Sequence, residues 1–461
     1  MHFEFLYNVV FSVVIRIIMS FLIEFLNKNK YYKQTYQKKD YDDTYDIAIF
    51  LTKFVAIQMT HRLSRFKSVC WVIMYWFEFL NLSFALLVEF ISMVETGQGG
   101  SFQDAIKIFK MLPCFGFVLL AILKSYKMVR CRNIFENLIY EMRDMWNTAS
   151  IDHEERQLIG SALRCLHFMV KGFYFCNNLL LVTFLYAPFW EMVKRYSGYE
   201  NEKCLQLFYW LPFDPLQPGY YEVMIAVQTW HSILTIWANM AGDLLFVIFL
   251  SHITLQFDLL SVRIKKLIYV PHDDQLLETY PLGLDSAAYL EKHRLAMETF
   301  SEIDWEDYYA KEITEIVLRH RALIRLSGDV ESVYKVALLV NFINSSIVLC
   351  FCEFCSIVVE KWNEFGYKSF LVTALSQMWI MCWYGQQLAD STERVSHAVY
   401  NSGWYRAPKK IKRSLLIMLL RSQKTVYVST CGFSNITMAS YSNIIKTSWS
   451  YFTLLLNIYR Q

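Results

Sequence analysis

The sequence predicts an all-α membrane protein of seven transmembrane helices, with a cytoplasmic N-terminus, an extracellular C-terminus and helices that extend into a cytoplasmic anchor. Three observations carry that expectation. Only 19% of the 461 residues are charged and 55% are apolar, whereas a soluble chain has about a quarter charged. The charge is gathered between seven apolar runs that reach, or nearly reach, the length needed to cross a hydrocarbon layer of about 30 Å. Lysines and arginines in the segments between those runs alternate between many and few.

Residues 3–26 (FEFLYNVVFSVVIRIIMSFLIEFL) form a first apolar run, broken at every fourth position by Glu4, Asn8, Ser12, Arg16, Ser20 and Glu24. On a helix of 3.6 residues per turn these groups drift by about 40° per step, a spiral rather than a stripe. The run lacks the basic start and small-residue cleavage site of a signal peptide. It reads as an interfacial helix, with an extra span, or a later start at Met19 or Met59, as alternatives. The seven spans follow at about Cys70–Val94, Ile106–Leu123, His167–Val193, Tyr221–Phe257, Val333–Val359, Ser369–Leu388 and Ser440–Tyr459.

The segments 27–69, 95–111, 124–166, 194–220, 258–332, 360–368 and 389–430 hold 9, 2, 7, 3, 9, 2 and 8 lysines and arginines, and the tail after Tyr459 holds 1. The alternation is unbroken and sets the orientation. The chain thus divides into six parts. They are a cytoplasmic N-terminal segment (1–69), helices one to four with an outer lid loop at 194–220 (70–257), and a cytoplasmic loop with anchor helices (258–332). Helices five and six (333–388), a cytoplasmic anchor segment (389–439) and a last helix with an extracellular tail (440–461) complete it. Pro212, Pro215 and Pro218 stiffen the lid. Leu259–Ile268 and Ile313–Leu326 are helical in pattern, separated by Pro271, Pro281 and Gly283. The piece Glu298–Glu315 is acidic, a solvated face. Arg406–Lys424 is basic and amphipathic, best suited to packing against other helices.

No catalytic chemistry emerges. There is no H-E-x-x-H, no phosphate-binding glycine loop, no G-x-S-x-G and no cysteine–histidine zinc pattern. The 11 cysteines are odd in number and mostly lie inside apolar runs, so they form no disulfide framework, and Cys350, Cys352 and Cys355 serve packing. The expectation is no enzyme, no metal and no cofactor. A net charge of +3 gives no reason to expect nucleic acid; lipid is the surrounding partner. Asp243 in the fourth span is an intramembrane acid, a functional-site candidate.

The last helix carries the most informative pattern. Thr447, Ser450, Leu454 and Asn457 fall three or four apart and share one face, while Tyr451, Phe452, Leu455, Leu456 and Tyr459 make the rest apolar. Around a symmetry axis, Leu454 would form a hydrophobic ring able to gate by dewetting, with Asn457 as a polar ring outside it. The alternative is a packed helix whose hydroxyls bond its own backbone.

Three stretches resemble the insect odorant receptors. Trp383–Tyr405 (WYGQQLADSTERVSHAVYNSGWY) is similar to that family's Gly…Ser-x-x-Val…Ala-x-Tyr…Trp-Tyr run. Arg413–Phe433 resembles the segment leading into its last helix, and Thr447–Leu456 resembles that helix. LPFD (Leu211–Asp214), GDLLF (Gly242–Phe246) and His320 to Leu326 add support. The likeness spans most of residues 60–461 and is sharp in the last eighty or so.

The resemblance implies a ligand-gated, non-selective cation channel of four subunits in the plasma membrane of olfactory neurons. This chain would be a tuning subunit that assembles with a shared co-receptor in a heterotetramer, a homotetramer being possible, and cations would permeate along the last helices. Matched through Tyr451 and Phe452, the family's gate falls on Leu454 and its polar ring on Asn457, with Ser450 on the same face. The resemblance also implies a small volatile odorant bound in the outer half of the bundle. Candidate contacts there are Phe109, Leu112 and Phe115 on span two, and Thr183, Phe184 and Tyr186 on span three. Span four offers Met224, Gln228 and His231, and span six Thr373, Ser376, Gln377 and Trp379.

Alternatives are a gustatory-type or G-protein-coupled seven-span receptor, or a transporter-like protein. An epitope at Gln461 separates the G-protein-coupled reading: staining of intact cells is expected, and staining only after permeabilisation contradicts the orientation.

Overall fold

The computed structural model describes residues 31–33, 35–59, 65–100, 102–146, 152–196, 205, 207–217, 219–267, 305–358 and 363–460. The expected interfacial helix at 3–26 and the loop carrying Pro271, Pro281 and Gly283 lie outside them. Among the described residues the chain is helical. Its one extended pairing is an isolated bridge between Ser429 and Asn435. Two short helices, α1 (Lys38–Asp42) and α2 (Asp46–Phe54), precede the long ones: α3 (Arg65–Gly97), α4 (Phe102–Arg130), α6 (His153–Tyr196), α7 (Tyr220–Leu267), α8 (Trp305–Val358) and α9 (Asn363–Tyr400). Between and after these come α5 (Arg132–Met145), α10 (Lys409–Ser422) and the closing α11 (Met438–Arg460). Helices suit this composition, because a backbone in hydrocarbon must satisfy its polar groups within its own segment.

Among the described residues five helices, α3, α4, α6, α7 and α8, are long and apolar enough to cross a membrane. Their surroundings differ. In its most apolar stretch α7 is 89% buried, whereas α3 is 22% buried. Every residue from Ala238 to Phe257 is enclosed, and α2, α4, α6, α8 and α9 all pack on α7. An apolar surface on all sides marks a helix of this kind. By contrast, α3 leaves Phe66, Val69, Ile73, Trp76, Leu80, Phe84, Leu87 and Val94 exposed. With Phe90 these recur every three or four residues, and Val72, Met74 and Phe77 beside them widen the lipid-facing stripe.

The helices run beyond the apolar stretches that identify them, held by charge pairs between segments distant in sequence. Arg263 on α7 bonds Glu312 (2.8 Å) and Glu315 (2.6 Å) on α8, and Arg394 on α9 bonds Asp258 on α7 at 2.8 Å. Arg319 donates to Gln256 Oε1 (2.6 Å) and to the Met145 carbonyl (2.8 Å). The N-terminal segment closes this end. Thr44 lies 2.9 Å from His252 Nε2, Tyr41 and Tyr45 share a 2.8 Å hydrogen bond, and the Tyr41 ring packs 4.5 Å from that of His252. Burial holds both phenols above the usual tyrosine range, so both are neutral at physiological pH. Asp42, next to Tyr41, takes a two-pronged bond from Arg143 on α5 at 2.8 and 2.7 Å.

The basic amphipathic stretch forms α10 as expected, burying Ile411, Leu415 and Met418 one turn apart against α8 and α9. A tight turn at Cys431 and Gly432 (φ 53° and 83°) then reverses the chain. It is closed by Ile436 N–H on the Val428 carbonyl and Thr430 N–H on the Ser434 carbonyl, both 2.8 Å. The returning strand rests on α9 at Gly385, where a Cβ would stand 2.3 Å from the Ile436 carbonyl oxygen. Gly385→Ala must therefore displace the hairpin that feeds α11, at a cost of about 1–3 kcal/mol. Gly328→Ala in α8, where nothing lies within 4 Å, should stabilise by about 0.5–1 kcal/mol. Thermal unfolding of the detergent-purified chain should move in opposite directions for the two.

Candidate ligand pocket and the open face of the last helix

A small cavity lies among α4, α6, α7 and α9. Its walls are Cys114, Phe117 and Val118 from α4, Phe184 from α6 and Phe370 from α9. On α7, His231, Ser232, Thr235 and Ile236 complete it, and Leu207 from the loop before α7 covers it. The rings of Phe117 and Phe184 each meet that of Phe370 edge to face, at 5.3 and 5.6 Å. At about 30 Å³ the space holds roughly one water molecule, so a larger ligand requires these side chains to move. A cleft of about 890 Å³ at the other end of the bundle is lined by charged groups such as Arg263, Glu315 and Arg319 and does not suit an apolar ligand.

The loop over the cavity is latched. Gln228 accepts the Leu207 N–H at 3.2 Å and donates to its carbonyl at 2.9 Å. His231 Nδ1 lies 2.8 Å from the Tyr209 hydroxyl, and its Nε2 lies 3.0 Å from Asn81 Oδ1 on α3. Trp210 N–H reaches the Val88 carbonyl at 3.3 Å. The loop is thereby tied to both α3 and α7.

Two turns further along three of the lining helices stands a buried ion pair. Lys124 Nζ on α4 lies 2.6 Å from Asp243 Oδ1 on α7, and Gln377 Nε2 on α9 donates to Asp243 Oδ2 at 2.5 Å. Both charged side chains are essentially sealed, 3% and 1% exposed. The Tyr334 hydroxyl donates to the neighbouring Gly242 carbonyl at 3.0 Å. The intramembrane acid picked out in the sequence is thus a junction of four helices.

Of the residues expected to meet a ligand, Phe184 and His231 line the cavity. Gln228 holds its cover and Gln377 reaches the ion pair instead. Phe109 stacks on Phe351 at 4.4 Å and joins a separate cluster with Phe354 and Phe452. Phe115 faces Phe90 on α3, 6.2 Å between ring centres, and Leu112 is half-buried. Tyr186 stacks on Trp190 and Trp379 on Trp383. Thr183, Thr373 and Ser376 bond carbonyls of their own helices. Met224 is buried one turn above Gln228. The sequence held one signal for the lining it missed. Gln228, His231, Ser232, Thr235, Asn239 and Asp243 recur every three or four residues, a polar stripe on an otherwise apolar helix.

The last helix is turned two ways. Ser448 and Phe452 are buried against the bundle, with Phe452 beside Phe354 and Cys355 of α8. Asn443, Lys446, Thr447, Ser450, Leu454 and Asn457 are exposed, Leu454 by 55%. The polar face therefore looks away from the rest of the bundle, as do Trp449, Tyr451 and Ile458.

A bundle of long apolar helices around a small aromatic pocket marks a multi-pass membrane protein. The chain belongs to the odorant receptor family: the model of that family, described as 7tm Odorant receptor, matches residues 104–449. It is 25% identical to Odorant receptor 85b of Drosophila melanogaster over 402 residues, 86% of this chain and 94% of the relative. It is likewise 25% identical to Putative odorant receptor 85d of the same organism over 394 residues, 83% and 85% of the two chains. In fold it is similar to the insect olfactory receptor OR5 from Machilis hrabei, solved in complex with eugenol. The TM-score is 0.71 at 14% identity, covering 91% of this chain and all of that one. The chain is an odorant receptor, and relatives of this kind are receptors rather than enzymes.

Removing one partner of the buried pair should cost about 3–5 kcal/mol, because it strands the other charge. Lys124→Met is expected to lower cell-surface delivery and thermal stability sharply, and adding Asp243→Asn should restore most of both. A double variant no better than the single one would show that the lysine does not serve that charge.

Proposed function

We propose that the chain is the odorant-binding subunit of an odorant-gated, non-selective cation channel in the plasma membrane. The subunit binds a small volatile in the cavity beneath Leu207 and lines a central pore with α11. The open polar face of α11 is the observation that carries this reading. In a helix merely packed into its own bundle, Ser450, Leu454 and Asn457 would turn inward; here they are left for contact with other subunits or water. Four such helices around an axis place Leu454 as a hydrophobic constriction and Asn457 as the polar ring beyond it, with Ser450 one turn inward. Lys446 lies on the same face, eight residues and about 12 Å inward of Leu454.

The assembly is a tetramer with a shared co-receptor, the basic segments face the cytoplasm and the C-terminus is outside, as the alternation of loop charge supports. The cavity suits a compact ligand. Its walls are mainly apolar and aromatic, it offers few polar atoms, and OR5, with the same fold, has been solved with eugenol in complex. Phe184 and His231 are the contacts this reading favours among the sequence candidates.

The test is electrophysiological. Co-expression with a co-receptor should give currents evoked by a panel of volatiles, and Leu454→Ala should raise the ligand-independent current severalfold by widening and wetting the ring. Unchanged basal and evoked currents in that variant, at equal surface expression, would remove Leu454 from the gate.

A further inference from the structure

We propose that the Thr235 hydroxyl is the hydrogen-bond donor of the pocket, and that the ligand it selects is a compact volatile with one acceptor oxygen, a ketone, aldehyde or ester. The inference rests on the ligand-pocket reading above and assigns it a chemical class. Thr235 lines the cavity on α7, one turn from His231 and about two from Asp243. It is 5% exposed, and its Oγ1 atom neither donates nor accepts a hydrogen bond. Other hydroxyls on the spans behave differently. Thr183, Thr373 and Ser376 each donate to a carbonyl of their own helix at 2.9 Å, a common arrangement for such side chains. Thr229 and Thr254 of α7 also lack a partner, but neither lines the cavity.

The other polar groups of the wall are already engaged. Ser232 donates to the Gln228 carbonyl at 2.8 Å. His231 Nε2 donates to Asn81 Oδ1, which leaves Nδ1 to accept from the Tyr209 hydroxyl. The Phe117 carbonyl takes the Asn239 amide at 2.8 Å, and Gln228 holds both backbone groups of Leu207. Cys114 adds a thiol, which is a weak donor. Among the described lining residues this leaves the Thr235 hydroxyl as the one strong side-chain donor without an acceptor, set among the rings of Phe117, Phe184 and Phe370. Buried donors are left unmet more rarely than buried acceptor lone pairs, so the missing partner is an acceptor. A carbonyl oxygen placed there satisfies the hydroxyl and is itself satisfied. A hydrocarbon of equal shape gains the apolar contacts and leaves the hydroxyl as it was. Such a bond is worth about threefold to tenfold in affinity.

The probes are acetophenone and isopropylbenzene, which share a ring and a branched side chain and differ in the oxygen. Half-saturation of the purified full chain is read by thermal shift and normalised to each probe's transfer from water into hexadecane, which offers no donor. On that scale acetophenone should bind the unaltered chain at least about fivefold tighter. In Thr235→Val its advantage should fall below about twofold, while Thr235→Ser should keep most of it. Without ligand, Thr235→Val should melt no lower than the unaltered chain, because it removes an unanswered hydroxyl at nearly constant shape. Equal normalised binding of the two probes, an advantage that survives Thr235→Val, or a fall of several degrees in the melting temperature of that variant would overturn the proposal. The first of these needs no variant to fold. Thr235→Ile extends the side chain into the cavity and should weaken both probes. Undiminished binding of both to that variant, or no binding of either to the unaltered chain, would refute the pocket reading and this inference with it. Loss of the acetophenone advantage alone would refute the inference and leave the pocket standing.

Discussion

A carboxylate cannot stand alone at the centre of a helix bundle, and the architecture here follows from how Asp243 is answered. It sits on the one helix enclosed from Ala238 to Phe257, where an isolated charge costs several kcal/mol even after relaxation. Lys124 and Gln377 meet its two oxygens, and that double contact fixes the rotation and the height of α4 and α9 against α7. Gly242 makes room for it: a Cβ there would stand 3.2–3.5 Å from the stem carbons of Lys124. The lysine stem thus lies against bare backbone on its way to the carboxylate. The pocket hangs from the same three helices two turns away, so its aromatic walls inherit their register from the ion pair.

The spans were legible because each follows from local pattern. Apolar length, charge depletion and alternation of loop charge all act within about twenty-five residues. The continuations of α7 and α8 were legible too, as helical pattern at Leu259–Ile268 and Ile313–Leu326, but the partners that hold them were not, Arg263 with Glu312 and Glu315. No single segment displays such a pair. The rotation of each helix was likewise hidden where its surface is apolar all round. Phe109 and Phe184 are equivalent as residue types in outer halves of spans, yet Phe184 enters the cavity and Phe109 stacks on Phe351. Only where polar groups break the apolar surface does the sequence say which way a helix faces. That is why α11, striped from Thr447 to Asn457, offers a face to read, and why the stripe of α7 from Gln228 to Asp243 is the signal left unused.

The latch over the pocket and the ion pair beneath it restrict the cavity in different ways. Gln228 and His231 hold the loop through neutral hydrogen bonds, each worth about 0.5–1.5 kcal/mol net. The ion pair is a stronger tie, because separating it exposes two charges to a low dielectric. The cover is therefore the weaker side, and a ligand entering from that side disturbs neutral bonds before it disturbs the junction.

One helix touches every part of this arrangement. Along α9, Phe370 forms a wall of the cavity, Gln377 answers Asp243, and Gly385 carries the hairpin whose Ile436 is two residues from the start of α11. From Phe370 to Gly385 is fifteen residues, about 22 Å of continuous helix. A packed, contiguous element is the physical requirement for carrying coupling between distant sites. On the proposed reading, displacement of the Phe370 ring by a ligand would act on a rigid rod whose far end bears directly on backbone, with no side chain at Gly385 to absorb the movement. Because interiors pack at crystal density, small shifts are passed on rather than dissipated. In the proposed channel the absence of a Cβ at Gly385 would be as much a part of the link between pocket and last helix as the aromatic ring at its other end.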